Sequence, residues 1–171
     1  MSIPKPLDGG KTERVSLEAM AGHVLEECRM VLPGIQALFG FQMIAVFNDG
    51  FASKLSQPQQ LLHLAAIALV VVAIALVMAP AALHRQVHQG QVCERFIWLA
   101  SKLLLAGMFP LMLGICVEVY IVADLVSEHH GIALAFAGAL LGVFAALWIW
   151  LPRRERGRES RRARDPLMQG R

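Results

Sequence analysis

At 171 residues the chain has the length of one ordinary domain, but its composition is not that of a soluble one. Hydrophobic residues make up 56% and charged residues 17%, against about 45–50% and about 25% in average soluble domains. The net charge of +3 averages a polar beginning with a very basic end, and Cys28, Cys93 and Cys116 are too few and too scattered for a disulfide framework or a zinc site.

Residues 1–15 read as a disordered polar tail. No apolar stretch follows a short basic segment there, so the start does not resemble a secretory signal, and the apolar segments are expected to be kept. Leu17, Met20, Ala21, Val24, Leu25, Cys28, Val31 and Leu32 then recur at three- and four-residue steps, the stripe of an amphipathic helix. Glu18, Glu26, Glu27 and Arg29 fill its other face, with Glu26 and Arg29 spaced to pair. This acidic face suits an extension of the following span, or a packed helix, better than a helix lying in the lipid surface.

Four uncharged or nearly uncharged runs follow, at residues 31–47, 61–83, 103–123 and 131–152. Each approaches the roughly 17–25 residues that a helix needs to cross a bilayer core. None alternates as a barrel strand would, and helices satisfy every backbone amide in lipid. Ser56 before Gln57-Pro58 suits a helix start. Pro33, Pro80 and Pro110 are expected to kink spans without ending them, and Pro152 to close the last one. The expected fold is therefore all-α and integral to the membrane: four transmembrane helices in an antiparallel bundle over residues 16–152, with an N-terminal cytoplasmic amphipathic helix at the front and a basic cytoplasmic tail at 153–171.

Of the 16 Lys and Arg residues, all but Lys54 fall on one side of such a bundle, which places both termini in the cytoplasm by the positive-inside rule. Trp98, Trp148 and Trp150 then sit at the inner interface and Tyr120 near the outer one.

The block at residues 27–41, ECRMVLPGIQALFGF, followed by Phe51, the run Ala79-Pro80-Ala81-Ala82-Leu83-His84-Arg85 and the closing Trp148…Leu151-Pro152, resembles a family of small bacterial integral membrane proteins, the domain of unknown function 6328. The likeness runs from about Leu17 to Pro152. It implies a four-span protein of a bacterial inner membrane with no assigned activity and no catalytic residue to carry over, and it gives Glu118 no support.

Glu118 is the most informative residue. A carboxylate inside a span costs about 2.5–3.5 kcal/mol at the helix centre on insertion scales, so it raises a functional question by default. Gly107, Leu111 and Gly114 share its face, which turns it into the bundle. Gln42 lies at matching depth in span one and His63 near the outer start of span two, so Glu118, Gln42 and His63 form a candidate intramembrane polar cluster. It could bind a proton or cation, or simply hold helices together. Arg29, Gln36, His84, Arg85 and Lys102, with Glu94, form a candidate inner-face cluster, more simply read as snorkelling side chains that mark topology. His84 and His88 share a helix face near Cys93 and Glu94, too sparse a set for a metal or haem site, and no cofactor is expected. Gly138, Gly142 and Ala146 make a small-residue stripe, most simply used for packing within the bundle. Arg153, Arg154, Arg156 and Arg158 open a tail suited to anionic lipid headgroups at the cytoplasmic face, with disorder expected beyond about Glu159. It lacks the interleaved aromatics of a nucleic-acid binder.

Two function classes remain. A non-enzymatic scaffold, regulator or complex subunit, partnered by the bilayer and by a second copy or another membrane protein, fits three charge-free spans. A small oligomeric ion or proton transporter would need a polar path from Glu118 inward. No nucleophile–base pair or HExxH lies in a span, so an enzyme ranks last.

Overall fold

A computed structural model describes residues 17–87, 94–155 and 157. Among them the chain is helical, in the order α1 (Leu17–Val46), α2 (Gly50–Lys54), α3 (Gln57–Val87), α4 (Glu94–Ser127) and α5 (His130–Ala145), followed by a π-helical turn at Ala146–Trp150. Four helices are long and apolar enough to cross a bilayer, spanning Ala19–Val46, Gln57–Arg85, Arg95–Ser127 and His130–Glu155. The protein is a multi-pass, all-α membrane protein.

The amphipathic N-terminal stripe belongs to α1 itself, which runs through Pro33 without a break. Ala21 and Cys28 turn inward, and Ala21 packs with Phe96, Ile97 and Ala100 of α4. Glu26 and Arg29 stay exposed and lie 3.7 Å apart, a contact worth a few tenths of a kcal/mol, roughly 0.2–0.5. Pro80 and Pro110 are likewise inside α3 and α4.

At the start of α3, the Ser56 amide and hydroxyl both donate to Gln59 Oε1 at 2.8 Å, so Gln59 supplies the returning half of a capping box. Pro152 does not close the last helix, which continues to Glu155. Proline lacks the amide that would bond four residues back, and the ladder shifts instead: the Leu151 amide reaches Ala146, five residues earlier.

The tightest seam joins α3 to α4. Ala66, Val70, Ala73 and Val77 are buried on α3 and face Gly107 and Gly114, buried seven residues apart on α4. A Cβ on Gly114 would lie 3.2 Å from Val70 Cγ2 and 3.3 Å from the Ala66 carbonyl, and one on Gly107 3.2 Å from Val77 Cγ2. The missing side chains let the two backbones approach, which is how helices gain contact in lipid, where water supplies no driving force. α1 lies against both partners, its Cys28 and Ile35 packing with Val70 and Val77. α5 rests on α4 and buries only Ala133. Among the described residues its small-residue stripe meets no neighbouring helix, since nothing there lies within 4 Å of a Cβ built on Gly138 or Gly142.

Candidate functional site

Toward one end of the α3–α4 seam the apolar packing gives way to a polar knot. Glu118 is nine residues before the end of α4, about 13 Å along the axis at about 1.5 Å per residue. It is one turn beyond Gly114, so the glycine contact that draws α4 onto α3 also brings the carboxylate to His63. Gln42, near the end of α1, completes the group. The Gln42 amide nitrogen donates to Glu118 Oε1 at 2.8 Å. His63 Nδ1 lies 2.9 Å from Oε1 and 3.1 Å from Oε2 of the same carboxylate. His63 Nε2 lies 3.1 Å from the backbone carbonyl of Gln42. Phe51, on the short α2 between the spans, covers the imidazole with its ring centroid 5.2 Å away. Three helices thus meet at one carboxylate, 18% exposed, beside an imidazole that is 5% exposed.

The acceptors fix where the protons can be. A backbone carbonyl has no proton to give, so His63 Nε2 must carry one. The Nδ1–carboxylate contact then needs one more, held either by Nδ1, giving imidazolium and carboxylate, or by Glu118, giving a neutral pair. Both arrangements are neutral overall. Removing that second proton would turn the Nδ1 lone pair toward a carboxylate in a low-dielectric setting, which is unfavourable. With one such proton in the contact, the carboxylate and both ring nitrogens each have a complementary partner, and the knot would then present no net charge to the membrane.

One group is left over. Gln42 Oε1 is buried and has no hydrogen-bond partner among the described residues. Deleting the whole amide removes this orphan along with the bond to Glu118, so the two effects offset. Gln42→Leu is expected to lose no more than about 1 kcal/mol in equilibrium unfolding from mixed micelles, below the roughly 1.7 kcal/mol maximum for an interhelical hydrogen bond in a membrane protein.

A second polar group lies nearer the end of the bundle, and the sequence reading missed it. Asp124 is 5% exposed. Its Oδ2 accepts from the Gln59 amide at 2.7 Å, and His130 Nδ1 at the start of α5 comes within 2.6 Å of Oδ1. Gln59 and His63 are one turn apart on α3, and that shared face was the available signal. Beyond Asp124, α4 turns into α5 through Glu128 in the left-handed conformation at φ 55°.

The inner-face residues do not assemble into one cluster. Arg29 pairs with Glu26, Lys102 lies 3.8 Å over the Trp98 ring, and His84 meets Phe96 at 5.7 Å between centroids. Gln36 and Arg85 are exposed. Arg29 and Lys102 find partners locally, and Gln36 and Arg85 are open to their surroundings, so none needs a shared partner. His88 and Cys93 lie outside the described residues, as do Arg156 and Arg158 of the tail; Arg153 is exposed and Arg154 lies 5.0 Å over Trp150. Among the described residues no three His, Cys, Asp or Glu side chains gather as a metal site would require.

These features define a four-span membrane protein with one buried carboxylate–imidazole–amide knot. The chain belongs to the family of unknown function DUF6328, whose profile matches residues 11–152. No curated protein and no solved structure matches the chain.

Proposed function

We propose that the protein is a non-enzymatic component of a bacterial inner membrane, a scaffold, regulator or complex subunit, in which Gln42, His63 and Glu118 clasp α1 to the α3–α4 pair. One observation carries this reading: the knot satisfies its own charge and stands on an apolar layer. Below it, toward the basic end, Ile35, Val70 and Val77 are buried among Leu104 and Leu111. A transporter built on Glu118 would need a polar route through that layer, and the polar residues nearest to such a route, Gln36 and Arg29, are exposed on other faces.

In this reading both termini are cytoplasmic, as the basic residues favour. Arg153, Arg154, Arg156 and Arg158 meet anionic headgroups at the inner face. The remaining partner is a second copy or another membrane protein, and nucleic acid has no part.

The transporter alternative keeps one supporting feature. Glu118 also lines a cleft of about 440 Å³ between α4 and α5, with Val119, Val122, Ile132 and Phe136. Ion flux in sealed liposomes separates the two. Under imposed proton and potassium gradients the native protein is expected to pass no more than empty liposomes do. Flux that Glu118→Gln abolishes would replace the clasp with a conducting or coupled site.

A further inference from the structure

The two outer helices leave part of α4 uncovered. α1 and α5 both rest on α4. Between them, in the half of the molecule nearer the basic end, two hollows of about 520 and about 190 Å³ share Leu105, Met108 and Trp148 and so run together as one groove. Its floor is α4, where Leu105 is 51% exposed. Met30, Val31 and Ile35 of α1 form one wall, and the last turns of the α5 helix form the other, with Trp148, Ile149 and Pro152. The π-helical turn at Ala146–Trp150 sets the position of Trp148 in that wall.

The chemistry changes along the groove in a definite order. Its lining is aliphatic, thioether and aromatic for most of its length, and Arg153 stands at the end of the smaller hollow. Glu27 rims the larger one, so a phosphate is repelled there and drawn to the Arg153 side. A single arginine at one end of an otherwise apolar lining suits a molecule with an anionic head and an apolar chain. A flexible chain fits the groove, and the methionines at its floor and wall can adjust to one.

We infer that this groove is a binding site for one anionic phospholipid, with an acyl chain along α4 and the phosphate held by Arg153. A guanidinium presents paired donors to phosphate oxygens, which makes arginine the apt residue at that position. The inference rests on the basic-end reading above, but the two fail differently. General attraction depends on the number of arginines; the groove depends on Arg153 and on the space beside Met108.

Native mass spectrometry of the full-length protein in detergent, with phosphatidylglycerol and phosphatidylcholine of matched chains, tests it. The native protein is expected to retain phosphatidylglycerol about fivefold over phosphatidylcholine, the preference that one arginine near a membrane surface confers. Arg153→Gln should erase that preference, whereas Arg85→Gln, at an exposed position outside the groove lining, should keep it. Met108→Trp, or Leu105→Trp should the first fail to fold, fills the groove and should lose both lipids. Equal retention of the two lipids by the native protein would overturn the site. So would an Arg85→Gln effect as large as that of Arg153→Gln, or a folded groove-filling variant that keeps its lipid or changes its oligomeric mass instead.

Discussion

His63→Ala is expected to destabilise the protein by about 3 kcal/mol in equilibrium unfolding from mixed micelles, while Glu118→Gln changes stability by less than about 1 kcal/mol. The first figure is the low end of the range for stripping one partner from a buried pair. It falls at the low end because Glu118 is 18% exposed and keeps its bond from Gln42. The second follows from the geometry. With His63 neutral and its proton on Nε2, the glutamine amide can donate to Nδ1, and its oxygen can accept from Gln42. The 2.8 Å contact with Gln42 and the 3.1 Å contact of each ring nitrogen then keep a donor and an acceptor, and only the 2.9 Å approach of Nδ1 to Oε1 loses its proton. Glutamine thus imitates the neutral form of the pair. Glu118→Leu cannot, and should lose about as much as His63→Ala. Combining His63→Ala with Glu118→Leu should cost less than the sum of the two, because their losses are largely the same contact. If Glu118→Gln were as damaging as Glu118→Leu, the knot would require a charged carboxylate, and the neutral form would not be available to it.

Gly114→Leu is expected to be at least as damaging, at about 3 kcal/mol or more by the same measurement. A Cβ alone would press on Val70 and on the backbone oxygen of Ala66 at 3.2 and 3.3 Å. A leucine adds a branched chain at a contact that can widen only if the helices part, and overpacking of this kind costs about 1–3 kcal/mol by itself. Parting the helices here also draws His63 from Glu118, one turn further along, so part of the knot is lost as well. Gly138→Leu on α5 is the control. Open space surrounds that position, and the change should be neutral or stabilising by up to about 1 kcal/mol through helix propensity. Comparable losses at Gly114 and Gly138 would mean that the α3–α4 seam is not where the backbones meet.

The contrast between those glycines shows what sequence reading could and could not supply. Composition and run length suffice to find four spans, because a bilayer constrains helix length more than any soluble environment does. Gln42, His63 and Glu118 could be grouped beforehand because each is a rare polar residue at similar depth, and the structure brings the three together. Asp124 escaped notice for the complementary reason. An apolar run ends at its first charge, whereas α4 continues past that carboxylate to Ser127, with Gln59 donating to it and His130 beside it. Pro152 misled in the same way, since a proline stops a helix only when the ladder cannot shift around it. The stripe on α5 has the same small-residue character as the seam on α4, and spacing alone cannot say which glycines a neighbour covers. At the inner face, Arg29 and Lys102 keep to local partners, Glu26 and the Trp98 ring, and similar depth does not by itself bring long exposed side chains together.

The protonation of His63 is the most direct test of the knot. In nitrogen-labelled protein reconstituted in lipid, solid-state NMR should find Nε2 protonated wherever the protein is folded, with Nδ1 coupled to the Glu118 carboxyl group and both signals altered in Glu118→Leu. A neutral ring with a bare Nε2, or a ring signal indifferent to the loss of Glu118, would contradict the shared proton and with it the clasp.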